Sequence, residues 1–180
     1  MVKHKQVTVA ISGAFDPIHI GQLRYIREAA KLGDKLVVIL NSDDFLLRKK
    51  GFIFRPYAER KEILESIKGV DEVIASIDDD QTVSKTLEML KPDIFAKGGQ
   101  RTGPANIPEA ETCEKIGCKL VVHVGGDQIH SNAELTKAVK EHEMEGETRM
   151  RVVCPYCDDH PILREKCTYC KGIGRIVVDK

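Results

Sequence analysis

The segment Ser12–Gln22, SGAFDPIHIGQ, puts a glycine, an Asp-Pro pair and a histidine directly behind the apolar run 7–11. Gly13 permits close approach of backbone to a ligand. A helix starting just beyond it would present free N–H groups and the positive end of its dipole to an anion. His19, on the edge of that helix, can donate a hydrogen bond to a phosphoryl oxygen as charge develops there, and Gly21 leaves room beside it. The chemistry these residues suit is the holding and polarising of a phosphate. The bland alternative is a strand–turn–helix joint that carries an incidental exposed histidine.

A second set lies at the other end of the chain. Cys154-x-x-Cys157 and Cys167-x-x-Cys170, separated by nine residues, offer two pairs of thiolates, enough for a tetrahedral Zn²⁺ site. A redox dithiol pair is the competing reading. With four cysteines completing the shell, His160 is expected outside it. Cys113 and Cys118 stand apart and read as reduced cysteines in or near the core.

The elements that must position these residues follow from apolar patterning. VTVAI, KLVVIL, DEVIAS, DIFAK and KLVVHV suit buried parallel strands. Between them lie helical stretches at 21–33, 57–69, 81–92 and 107–117, and Gly33, Gly69 and Gly117 stand where helices should end. A last helix is expected from about Asn132, a good N-cap residue. Alternation of this kind predicts an α/β fold, a Rossmann-like, doubly wound, five-stranded parallel sheet with helices on both faces. Composition changes at KEHEMEGETRMR, which gives a domain over 1–145, a linker over 146–152 and a small four-cysteine zinc module over 153–180. That module is too short to form a hydrophobic core unaided, and metal would supply the missing folding energy.

The bulk numbers exclude some classes. The 180 residues carry 28 Lys+Arg against 28 Asp+Glu, so nothing supports a polyanion-binding surface over the whole molecule. Nucleic-acid binding by the cysteine module is likewise unsupported, because Lys166, Lys171 and Arg175 are offset by Asp158, Asp159 and Glu165. No window approaches the apolar length of a membrane span, and the N-terminus lacks a signal-peptide pattern, so a cytoplasmic protein is expected. The carboxylates at 78–80 and 42–44 read as solvated loops, with Asp80 near an N-cap, and not as metal sites.

GAFDPIHIGQLRYI resembles the G-x-F-D-x-x-H-x-G-H motif of the cytidylyltransferase-like nucleotidyltransferases. EAAKLGDKLVVILNSDD, RKKGFIFRPYAERKEIL, VDEVIAS and KPDIFAKGG are similar to successive segments of the adenylyltransferase domains that activate heptose 1-phosphate, and almost as similar to glycerol-3-phosphate cytidylyltransferases. The resemblance spans about residues 5 to 142. FDPIH also resembles nicotinamide-mononucleotide adenylyltransferases. Class I aminoacyl-tRNA synthetases share an H-I-G-H element, but this chain is too short for one and has no K-M-S-K-S match. In the C-terminal module, CTYCKGIGR is similar to one C-x-x-C-x-G-x-G repeat of DnaJ-type chaperones.

What the resemblance implies is transfer of NMP from an NTP to a small phosphorylated acceptor, with release of pyrophosphate. AMP is favoured and CMP is a close second. His19 and Gln22 fall at the two histidine positions of H-x-G-H and are implied in catalysis together with Lys50. Gly13, Ala14, Phe15, Asp16, His19, Gly21 and Gln22 would line the nucleotide. Lys97, Gly98 and Gly99 match the loop that shapes the nucleotide pocket. His130, Ser131 and Asn132 stand where the family has Ser-Thr-Thr, and would meet the β- and γ-phosphates. Lys50, Arg55 and Arg60 fall in segments that approach the substrate phosphates. Mg²⁺ would come with the NTP, and a homodimer, common among the resembling families, is the oligomer the resemblance allows.

Gln22 departs from the motif. It can donate a neutral hydrogen bond but cannot become an imidazolium. The missing charge-assisted contact would cost on the order of 10²-fold in rate, which His130 would partly restore. A catalytically degenerate nucleotide-binding module, with zinc-mediated partner or nucleic-acid contact, is the competing class.

Overall fold

The computed structural model describes residues 5–99, 107–126, 149–153 and 175–179. The chain divides into two compact units, Met1–Asn132 and Ala133–Lys180.

In the first unit, strands β1 (Thr8–Gly13), β2 (Lys35–Leu40), β3 (Glu72–Ala75), β4 (Ile94–Gly98) and β5 (Lys119–Val124) form one sheet. Every pairing is parallel, and the order is β3-β2-β1-β4-β5. This is the five-stranded, Rossmann-like α/β sheet that the apolar runs imply. Alternate side chains feed two cores. Val9, Ile11, Leu36, Val38 and Leu40 pack on one face with Ile26 and Ala29 of α1 (Ile20–Ala29) and Leu64 of α3 (Tyr57–Glu65). Ala10, Ile39 and Phe95 pack on the other with Leu87 of α4 (Ser84–Leu90) and Cys113 of α5 (Ala110–Ile116). Because β1 is flanked by β2 on one side and β4 on the other, its carboxyl end is the point where strand order reverses, and in such sheets ligands bind there.

Two local findings differ from the sequence reading, each for a physical reason, and Gly33, which ends its helix as expected, has a further one. Residues 43–50 form a further helix, α2 (Asp43–Lys50). Ser42 Oγ accepts from the Phe45 N–H, Asp43 and Asp44 sit in the first turn, Arg48, Lys49 and Lys50 in the last, and Gly51 closes it at φ 85°. Caps and dipole-matched charges thus favour a helix whose apolar stripe is too short to announce it. Before α4, the capping carboxylate is Asp78 and not Asp80. Asp78 Oδ1 accepts from the Lys85 N–H and Oδ2 from the Thr86 N–H, whereas Asp80 takes only the Thr82 N–H and hydroxyl. Those Thr82 bonds hold the Asp80 carboxyl below its usual range. Gly33 follows a single 3₁₀ turn (Ala30–Leu32) in extended backbone, and its hydrogen is required by proximity: a Cβ there would lie 2.7 Å from the Val7 carbonyl oxygen.

Cys113 and Cys118 are free thiols in the second core. Burial, and then the adjacent Cys113, push the Cys118 thiol up to about 12. Both therefore behave as small apolar residues at neutral pH.

The second unit contains an antiparallel ribbon of β6 (Arg149–Val153) and β7 (Arg175–Asp179), in register from Arg149↔Asp179 to Val153↔Arg175. The four cysteines of the C-x-x-C pairs, and the helix expected from Asn132, lie outside the described residues. Among the described residues no helix is long and apolar enough to cross a membrane.

Candidate functional site

The motif segment runs off the carboxyl end of β1 and into α1. Phe15, at φ 50°, turns its ring into the first core and leaves Asp16 fully buried. His19 is the N-cap residue of α1 and is half-buried, so the sequence delivers its imidazole to the helix's positive end. Gln22, one turn in, accepts the His19 N–H through Oε1 at 3.2 Å. This is one half of a capping box. It gives the glutamine a structural task and leaves its amide nitrogen as the part that can meet a ligand.

Asp16 anchors the segment before α3. Its Oδ1 accepts from the Arg55 N–H at 2.8 Å and its Oδ2 from the Phe54 N–H at 3.0 Å. Lys50 Nζ donates to the Asp16 carbonyl at 2.5 Å and lies 3.3 Å from Oδ2. Lys50 is thereby drawn from the end of α2 onto the motif loop, with the rings of Phe52 and Phe54 about it. Arg60 ties the same region from α3. Its Nη1 donates to the carbonyls of Ala14 (2.6 Å) and Asn41 (3.0 Å), Nε to that of Arg55 (3.0 Å), and Nη2 to Asp43 Oδ1 (2.7 Å). The guanidinium is buried, and protein acceptors occupy all three of its nitrogens. Arg55 is exposed and pairs with Glu59 one turn along α3. A pocket of about 190 Å³ lies between the motif loop and α3, lined by Phe15, Pro17, Ile18, Arg55, Arg60, Ile63 and Leu64.

On the β4 side, Lys97 donates to Ser12 Oγ and to Glu109 Oε1, each at 3.2 Å. Ser12 and Lys97 stand near the carboxyl ends of adjacent strands, so this group sits at the reversal of strand order. Tyr25 of α1 braces the neighbouring strand ends. Its hydroxyl donates to the Ala96 carbonyl at 2.6 Å, a Cβ on Gly98 would lie 2.9 Å from its ring, and one on Gly125 would lie 2.7 Å from its Cα. Glycine is thus required at 98 and 125 by close approach, while Gly99 follows at φ 81°.

The structure therefore gathers the sequence-predicted residues into three groups. Ala14, Asp16, Lys50, Arg55 and Arg60 are linked by hydrogen bonds on the β2 side of β1. Lys97 joins Ser12 and Glu109 on the β4 side, and His19 with Gly21 and Gln22 opens α1 between the motif loop and the helix. His130, Ser131 and Asn132 lie outside the described residues. Ser12 and Glu109 are absent from the sequence-predicted set. Ser12 begins the motif segment itself, while Glu109 is one acidic residue among three in the PEAETCE stretch and carries no spacing signal. Among the described residues no group of three His, Cys, Asp or Glu could hold a metal ion.

Comparison with known proteins yields a consistent set of likenesses. The family model described as "Cytidylyltransferase-like" matches residues 10–167. The bifunctional protein HldE of Hahella chejuensis is 43% identical over 126 residues, which cover 69% of this chain and 24% of the relative. The HldE of Streptomyces coelicolor is 36% identical over 134 residues, covering 73% and 28%. The chain thus spans only about a quarter of the length of these bifunctional relatives. The FAD synthase of Pyrococcus abyssi is 31% identical over 123 residues, 68% of this chain and 82% of that protein. Among solved structures, the lipopolysaccharide core biosynthesis protein from Thermoplasma volcanium superposes with a TM-score of 0.54 at 31% identity, over 66% of this chain and 97% of that one.

Proposed function

The chain belongs to the cytidylyltransferase-like family, and on that premise we propose that it transfers a nucleoside monophosphate from an NTP to a small phosphorylated acceptor, releasing pyrophosphate. The observation that carries the reading is the position of His19 at the N-terminus of α1, next to the carboxyl end of β1 where strand order reverses. A helix N-terminus and an imidazole together suit a polyphosphate. AMP is the favoured group, because KGG and the RKKG…RP segment are more similar to heptose-phosphate enzymes; CMP transfer is the second choice.

No protein nucleophile is needed. An oxygen of the acceptor's phosphate attacks the α-phosphorus in line, the bond to the bridging oxygen breaks, and pyrophosphate carries the electron pair away. The protein supplies alignment and charge stabilisation. His19, the α1 amides and Lys97 face the triphosphate, with His130, Ser131 and Asn132 completing the β- and γ-phosphate contacts. Gly13, Ala14 and Phe15 shape the floor beneath it, and Gly98 and Gly99 the wall. Lys50 and Arg55 meet the acceptor's phosphate near the 190 Å³ pocket. Asp16 and Arg60 act as positioning residues, because protein partners already occupy their charged groups. Mg²⁺ would come with the NTP and be held mostly by its phosphates, since the oxygens of Asp16 and Asp43 are already bonded to protein donors.

The second unit is proposed to hold structural Zn²⁺ through Cys154, Cys157, Cys167 and Cys170. In support, the register Val153↔Arg175 sets the two ends of the intervening segment side by side. Metal analysis of the purified chain should return zinc near one equivalent, and a zinc-free chain with an intact fold would sink the assignment.

The deciding experiment for the first unit is pyrophosphate release with ATP and with CTP, Mg²⁺ present, against sugar, polyol and nucleoside phosphates. Turnover that requires one acceptor and falls by about 10²-fold or more in His19→Ala is expected. Nucleotide binding with no turnover against any acceptor would instead identify a degenerate binding module.

A further inference from the structure

Glu109 is a carboxylate that the fold leaves half-made. The residue is 3% exposed. Its Oε1 lies 3.2 Å from Lys97 Nζ, while its Oε2 has no hydrogen-bond partner among the described residues. Folded proteins rarely leave a buried acceptor unmade, and each exception calls for an explanation such as a functional role, a water or an ion. The other two buried carboxylates among the described residues are completed, since both oxygens of Asp16 and both of Asp78 take backbone N–H donors. The gap at Glu109 lies at the carboxyl ends of β1 and β4, through Ser12 and Lys97.

The chemistry of the missing partner is restricted. An ionised carboxylate is acceptor-only, so the partner must be a donor. Phosphate oxygens are excluded, because they are acceptors and negatively charged. A cation is disfavoured, because the Lys97 ammonium already faces the same carboxylate. What remains is a neutral O–H or N–H. Resting on the NTP reading above, we propose that Glu109 recognises the nucleoside half of the NTP, its Oε2 accepting from a ribose hydroxyl or from the exocyclic amine of the base. On that reading the two substrates lie on opposite flanks of β1. Lys50, Arg55 and the pocket against α3 lie on the β2 flank, and Glu109 lies with β4 and α5. Glu109 is therefore a specificity residue for the donor nucleotide and not for the acceptor.

Equilibrium binding to the full chain with Mg²⁺ tests this. ATP and CTP are titrated first. The tighter binder is then compared with its 2′-deoxy form, its 3′-deoxy form and the analogue lacking the exocyclic amine. In the wild-type chain one of the three should bind roughly 10- to 100-fold more weakly, the loss expected when a buried acceptor is stranded. Which analogue loses affinity identifies the hydroxyl or the amine. Glu109→Ala should bring that analogue and its parent to equal affinity, whereas Glu109→Gln, which keeps a carbonyl oxygen, should retain part of the gap. A merely structural role would weaken all ligands alike. The idea is overturned if all three analogues match the parent in the wild-type chain, a result that needs no variant to fold, or if the gap survives in Glu109→Ala. Failure of both ATP and CTP to bind would overturn the NTP reading as well. A parent that binds beside a flat analogue series would remove Glu109 alone.

Discussion

The two flanks of β1 use buried charge in opposite ways. On the β2 flank, Asp16, Asp43 and Arg60 form a closed network in which carboxylate oxygens and guanidinium nitrogens alike have protein partners. On the β4 flank, Lys97 and Glu109 are comparably buried, at 12% and 4% side-chain exposure, but one carboxylate oxygen is left over. Closed networks fix geometry, and the β2 network fixes the path of three loops at once: the motif loop, the turn before α2 and the approach to α3. An open pair has spare hydrogen-bonding capacity for a ligand. On the proposed reading, the closed charges of the β2 flank are scaffold that holds Lys50 and Arg55 for the acceptor, and the open pair of the β4 flank takes part in recognition itself.

The sharpest way to break this contrast is at Arg60. Arg60→Ala strands the carbonyls of Ala14, Asn41 and Arg55 and leaves Asp43 without its buried cation. Removing one partner of a buried pair costs about 3–5 kcal/mol, and the stranded carbonyls add to it. A marginally stable domain would lose much of its stability, so thermal unfolding should show a large fall in Tm. Arg60→Lys should recover little, because one ammonium cannot span the acceptors that the planar fork reaches. If Arg60→Ala keeps wild-type stability but loses affinity for the acceptor phosphate, Arg60 is a substrate ligand and the β2 flank is not closed.

These two flanks also mark the limit of what the sequence makes legible. The strands are readable because each is a continuous apolar run, and their alternate side chains feed two cores as parallel strands between helices require. The motif loop is readable because glycine, Asp-Pro and histidine are rare together behind such a run. Partnership is not readable. Nothing in FDPIH says that its aspartate accepts backbone N–H groups from residues 54 and 55, since that bond closes across 38 and 39 positions of chain. Arg60 reads from the sequence only as part of a segment that approaches the substrate phosphates, and burial of its guanidinium depends on carbonyls just beyond β1 and β2. Helix α2 is hidden for a different reason: its signals are caps and charges, with only Phe45 and Leu46 buried. Glu109 is hidden because an acidic residue near a helix start is commonplace. Its unusual property, an unmade oxygen at 3% exposure, exists only in three dimensions.

The contrast is sharpened by its smallest expected effect. Replacing a buried ion pair with apolar residues of similar volume is often neutral or stabilising, because the desolvation penalty of both ions is removed together. For the open pair, Lys97→Met with Glu109→Leu should therefore leave stability within about 1 kcal/mol of wild type or raise it. Ser12 loses only a donor that its own rotatable hydroxyl does not need. Glu109→Leu alone should cost more than the double variant, about 3–5 kcal/mol, because it removes the carboxylate that faces the buried Lys97 ammonium. No equivalent rescue exists on the β2 flank, where Arg60 is bonded to main-chain carbonyls that no substitution can remove. A double variant that folds normally and yet loses nucleotide affinity would show that the β4 pair is kept for its ligand. A double variant as unstable as the single one would make Lys97–Glu109 a second scaffold, and the two flanks would then differ in degree and not in kind.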